Sequence, residues 1–158
     1  MGQSTDAMLM FGSPISEWDD SYEFPDEFQE TDLYKSFLDW KILKNEEFYL
    51  EHPEYEYSKL SDDELSIGEL DEYFEKQHPK YTIERHCSSE CPMWILGQRN
   101  TRKRAWRGDP KDVNFICAPD FSGRYWLNDA KENLIAFAEK HGIPIDGDPV
   151  WLLFSDWC

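Results

Sequence analysis

Apolar residues along the chain follow two periods, and their alternation sets out the expected elements. Ala7-Met8-Leu9-Met10-Phe11 is a short unbroken apolar run closed by Gly12-Ser13-Pro14, too short for a typical helix and right for a buried strand. Tyr81-Thr82-Ile83-Glu84-Arg85 alternates, with Tyr81, Ile83 and Arg85 on one face and Thr82 and Glu84 on the other, as a half-buried strand does. Pro92-Met93-Trp94-Ile95-Leu96 is apolar on both faces and suits a central strand, with a proline at its start where a missing ladder donor costs least. Gln98-Arg99-Asn100-Thr101 is expected to turn the chain into a hairpin. Beyond it, Arg102, Arg104 and Trp106 alternate with Lys103 and Ala105, giving a strand with one cationic face at a sheet edge, where lysine and arginine discourage edge-to-edge pairing. Val113 to Cys117 is a further short strand candidate, and Tyr125-Trp126-Leu127 extends the sheet or covers its end. Pro149-Val150-Trp151-Leu152-Leu153-Phe154, apolar throughout, reads as a buried strand near the sheet's centre.

Three segments carry helical signals instead. Thr31 supplies an N-cap oxygen before a stretch with Leu33, Phe37, Leu38, Trp40, Ile42 and Leu43, which predicts a helix to about His52, where Pro53 stops it. Ser61-Asp62-Asp63-Glu64 is a capping box, and Leu65, Leu70, Tyr73 and Phe74 make the apolar stripe of an acidic helix ending at His78-Pro79. Asn128 is expected to cap a third helix, Asp129 to His141, with Gly142 as its left-handed stop. The pattern therefore predicts one α+β domain over residues 1–158: about three helices on a mainly antiparallel sheet of four to six strands, with the two terminal apolar strands inside it.

Charge sharpens this outline. The chain has 158 residues and a formal net charge of −17. Residues 1–79 hold 22 acids against five bases, residues 80–127 five against nine, and residues 128–158 six against two. An acidic, largely helical region over 16–79 is thus joined to a mildly basic hairpin and sheet region over 80–127. Such a balance argues against direct binding to nucleic acid or to a membrane surface, and favours a basic protein partner. No apolar run approaches the roughly 20 residues of a membrane-spanning helix, and the first residues lack the pattern of a signal peptide, so a cytosolic setting is expected.

Two acidic rows are the candidate partner-binding residues. One is the segment from Ser16 to Glu30, with Glu17, Asp19, Asp20 and Glu23 interleaved with Trp18, Tyr22, Phe24 and Phe28. The other is the outer face of the second helix, with Asp63, Glu69, Glu72 and Glu75. Aromatics beside acids offer contact area as well as charge, whereas the plain reading of both rows is a solvated surface. Candidates for catalysis are few: there is no phosphate-binding loop, dinucleotide fingerprint, zinc-protease motif or nucleophile elbow, and no cofactor is implied. Cys87 and Cys91 have the spacing of a metal-ligand pair, but no second pair matches it. An enzymatic or ligand-binding alternative places a polar cleft near the 85–104 hairpin, lined by Arg85, His86, Cys87 and Arg104.

Gly2-Gln3-Ser4-Thr5-Asp6-Ala7 before an apolar run and Gly12, then Cys91-Pro92-Met93, Arg104-Ala105-Trp106-Arg107-Gly108 and the ending Trp151-Leu152-Leu153-Phe154-Ser155, together resemble a family of small uncharacterised proteins of tailed bacteriophages and prophages. The resemblance implies a phage accessory protein acting in the host bacterial cytoplasm, and carries over no catalytic residue. Combined with the charge, it leads to the expectation of an anti-defence protein that blocks a host nucleic-acid-handling enzyme, such as a CRISPR or restriction effector, through its acidic surface.

Overall fold

The structure, a computed structural model, describes residues 5–16, 24, 26–51, 67–86, 93–105 and 124–157. In chain order it contains β1 (Thr5–Pro14), α1 (Asp26–Gln29), α2 (Asp32–Glu51), α3 (Ile67–Gln77), β2 (Tyr81–His86), β3 (Met93–Gln98), a 3₁₀ turn (Arg99–Thr101), β4 (Lys103–Ala105), α4 (Arg124–His141) and β5 (Val150–Trp157). This is the single α+β domain that the pattern implies, with a five-stranded antiparallel sheet. The short α1, within the acidic segment, was not foreseen. The expected strand at Val113–Cys117 and the capping box Ser61–Glu64 lie outside the described residues.

The sheet is built around β1. β5 pairs with it from Thr5↔Trp157 to Gly12↔Val150. Gly12 also pairs with Gly97 of β3, and Ala7 also pairs with Ala105 of β4. Because these residues have β5 on one side, β3 and β4 must share β1's other side. The expected hairpin at Gln98–Thr101 is therefore corrected: the chain does not reverse there. β3 and β4 run in the same direction along one edge of β1, and the 3₁₀ turn inserts three extra residues between their registers, Gly12↔Gly97 and Leu9↔Lys103. A bulge of this size would orphan a backbone donor on β1. Thr101 supplies the remedy, its Oγ1 accepting from the Phe11 N–H at 2.9 Å while donating to the Gln98 carbonyl at 2.7 Å.

β2 and β3 form the hairpin proper, from Tyr81↔Gln98 to His86↔Met93. The sheet coils strongly, for two strands, β3 and β1, separate β2 from β5 in the ladder, yet His86 Nδ1 sits 3.1 Å from the Ser155 carbonyl and its ring 5.8 Å from Phe154. Inside the curl lie Met8, Met10, Ile95 and Phe154, with Leu152 against them. Ile95 faces this cluster while its neighbours Trp94 and Leu96 face the main core under the helices, which is why that strand is apolar on both sides. β5 departs from expectation. Among the described strands it pairs with β1 alone, and although Phe154 is buried, Leu153 is 76% exposed. Apolar content on both faces did not mean burial on both.

The helices cover the other face of the sheet. Thr31 caps α2 by accepting from the Tyr34 N–H at 3.2 Å, as its sequence position suggests. Leu33, Tyr34 and Phe37 are buried among Phe24, Phe28, Tyr73 and Phe74, with ring pairs at 5.4–6.3 Å, mostly edge-on or tilted. α3 seals the outer edge of β2, where the Asp71 carboxylate accepts from the Ile83 N–H at 3.2 Å. α4 begins at Arg124, so the expected cap at Asn128 is corrected: Asn128 lies inside the helix and Trp126 within its first turn. At its other end Gly142 takes φ +64, and the N–H groups of Gly142 and Ile143 reach back to the carbonyls of Glu139 and Ala138 at 3.4 and 2.9 Å, closing the helix as its glycine predicts.

Candidate protein-interaction surface

Three of the acidic candidates fall on described residues, all on α3, and the fold gives them internal partners. Glu69 pairs with Lys41 and Glu72 with Lys44, both lysines reaching across from α2. Glu72 also has Lys76 at 3.4 Å. The hydrogen bond from Lys44 holds the Glu72 carboxyl below its ordinary value of 4.5 against an opposing effect of burial, with the charge of Lys44 and then Lys76 adding to the lowering. Glu75 is the most exposed of the three, with its side chain 68% accessible and Arg99 Nη1 at 4.0 Å. Their neighbour Asp71, not among the candidates, is a structural hub. It accepts from Thr82 Oγ1 at 2.8 Å and from Arg99 Nη2 at 2.9 Å, besides the Ile83 N–H. Glu17, Asp19, Asp20, Glu23 and Asp63 lie outside the described residues, as do Cys87 and Cys91. Among the described residues no three His, Cys, Asp or Glu side chains gather as a metal site would require.

The cationic strand is similarly occupied. Arg102 pairs with Glu84, and Arg104 donates from Nε and Nη2 to Asp6 at 3.1 and 2.8 Å. Asp6 is buried, and its pairing with Arg104 meets the requirement that a buried charge be matched. His86 Nδ1 lies at the Ser155 carbonyl, opposite Ala7 in the β1–β5 register and so next to Asp6, while Cys87 of the expected cleft lies outside the described residues. The cavity beside this hairpin opens at its opposite end, between Tyr81, Asn100 and α4.

Among the described residues, α2 carries a row of exposed acids that α3 lacks. At 3.6 residues per turn, Asp32, Asp39, Leu43, Glu46 and Leu50 fall within about 60° of arc, directly opposite the arc that buries Leu33, Tyr34 and Phe37. Asp39 and Glu46 have no ion pair among the described residues, and Asp32 has only Lys35 at 4.0 Å. Leu43 is 60% and Leu50 82% exposed, with Ile42 at the margin. The stripe spans about 27 Å from Asp32 to Leu50 at 1.5 Å per residue. Asp26, Glu27 and Glu30 are exposed just before it. The seven-residue spacing of these acids is visible in the sequence, but the helix was read there for its apolar residues and not for its outer face.

Comparison with protein-family models, with curated proteins and with solved structures gave no match. None of the described helices is long and apolar enough to cross a membrane.

Proposed function

We propose that this protein works by docking the outer stripe of α2 into an apolar groove rimmed by lysine and arginine on a partner, and that the partner is a host enzyme that handles nucleic acid. The observation that carries the reading is the line Asp32, Asp39, Leu43, Glu46 and Leu50 opposite the packed face of one helix. Exposed leucines seven residues apart are the anchors of a helix laid in a groove, and the carboxylates in line with them match a basic rim. Lysine and arginine of such a rim are the residues with which proteins bind a phosphate backbone. The resemblance of its sequence motifs to phage proteins adds the setting, the host cytoplasm.

Charge density favours this mode over imitation of a duplex. A duplex carries one charge per about 1.7 Å, or about 16 over the length of the stripe, against three carboxylates here. The leucines must therefore supply contact area that charge alone does not.

The test is capture from host lysate by the wild type, by Asp39→Lys/Glu46→Lys and by Glu69→Gln/Glu72→Gln. The expected result is one nucleic-acid-binding protein held by the wild type and by the α3 variant but lost with the α2 variant. It should be displaced by duplex DNA or by RNA, with binding that weakens steeply between about 50 and 200 mM salt. Retention by the α2 variant, or a partner indifferent to nucleic acid, refutes the proposal.

A further inference from the structure

The insertion between β3 and β4 has a cost, since it interrupts a ladder that Thr101 must then patch, and its product is the placement of Asn100 on the rim of a cavity. That cavity, of about 370 Å³, lies between the turn at Pro79–Tyr81, the 3₁₀ turn and one face of α4. Its volume falls in the lower part of the small-molecule range of about 300–1,000 Å³. Bulges that redirect a side chain are common beside binding sites, so the insertion and the cavity explain one another.

The walls are held in place by the fold. Trp126 stacks on Trp151 with centroids 6.2 Å apart and meets Phe11 edge-on at 5.7 Å. Tyr81 lies flat on Phe137 at 3.8 Å and its hydroxyl donates to the Asn133 carbonyl at 3.3 Å. Gln98 donates from Nε2 to the Ala130 carbonyl at 3.0 Å, which fixes its amide against α4. Around this frame Asn100, Asp129, Asn133 and Lys80 bring two amides, a carboxylate and an ammonium to the opening.

We propose that this cavity binds a neutral pyranose sugar, an activity separate from the docking surface on α2. One anionic and one cationic side chain cancel, so the lining suits a ligand without net charge. Amide and carboxylate groups each meet neighbouring hydroxyls, every one of which is both donor and acceptor. The indole offers an apolar wall for the C–H side of a ring. A nucleotide fits less well, because Lys80 is the single cation among the described lining residues and shares the opening with the Asp129 carboxylate. Asp129 is the lone carboxylate among those residues, so the proposal is one of binding and not of the two-carboxylate hydrolysis of a glycoside.

The experiment is a titration of the ¹⁵N-labelled chain with glucose, galactose, mannose and N-acetylglucosamine, each to about 50 mM, with adenosine monophosphate as comparison. At least one sugar is expected to give saturable shifts in the Trp126 indole and in the side-chain amides of Asn100 and Asn133. Asn100→Ala and Asp129→Asn, both exposed, should each weaken that sugar about fivefold while leaving the melting temperature unchanged. Absence of saturable shifts with all four sugars overturns the proposal. So does equal binding by both variants, or a response to the nucleotide with the sugars silent.

Discussion

On α3, Glu69, Asp71 and Glu72 end on Lys41, on Arg99 and the edge of β2, and on Lys44; on α2, Asp39 and Glu46 face solvent with no ion pair among the described residues. Both helices are acidic, and the difference lies in where the bases are spent. With 33 acids and 16 bases, one-to-one pairing leaves at least half the carboxylates without a cation. The fold uses lysines on the inner side of α2 to fasten α3, so the acids of α3 become structural and those on the far side of α2 stay exposed.

The largest effect should come from the buried arc of α2. Phe37→Ala removes a fully buried ring and should cost about 3–5 kcal/mol in urea unfolding, whereas Leu50→Ala on the outer stripe should stay within about 0.5 kcal/mol. Equal losses would break the division of α2 into a packed and a presented face. Next, Asp71→Ala leaves the Ile83 N–H and the Arg99 guanidinium without their carboxylate, and chemical denaturation should register a loss of about 1–3 kcal/mol. A neutral result would mean that the α3 acids are ornamental too.

Glu72→Gln should cost at most about 1 kcal/mol at neutral pH, being a partly exposed pair. Because Lys44 holds this carboxyl below 4.5, its contribution is present above pH 4.5 and lost as pH falls through the folded value. A wild-type advantage over Glu72→Gln that persisted at strongly acidic pH would contradict that assignment. The histidines at the ends of α3 and α4 act in a different window. Burial, aided for His141 by His78 and for both by Lys140, holds them below 6.5, with their rings 5.1 Å apart. The unfolded chain then takes up protons first, so stability present above pH 6.5 should fall as pH is lowered from about 7.5 to about 5.5. Replacing both with glutamine should flatten that fall, and an unchanged urea midpoint in the wild type would refute it.

What the sequence disclosed was local. The apolar run at Met93–Leu96, the Thr31 cap and the Gly142 stop could each be read from a few adjacent residues, because each depends on chemistry within a turn or a strand. The hairpin at Gln98–Thr101 was misread because a turn of three residues looks alike whether the chain reverses or rejoins its line. What decides is the Thr101 bond to Phe11, 90 residues away. Asn128 has the chemistry of a cap, but Trp126 packs on Phe11 and Trp151, and that tertiary contact carries the helix back to Arg124. The same distance hid the fate of Glu69 and Glu72. Their lysines lie 28 residues upstream, although the three-residue step from Lys41 to Lys44 repeats that from Glu69 to Glu72.

β5 lies antiparallel to β1 from Thr5↔Trp157 to Gly12↔Val150, which brings the two ends of the described chain to the same end of one ladder. Tension applied to those ends loads the rungs in series, the outermost first, instead of sharing the load across all of them. The domain should therefore unzip under low force from the Thr5–Trp157 rung inward. Loss of that one pairing strips β1 of its partner along a whole edge.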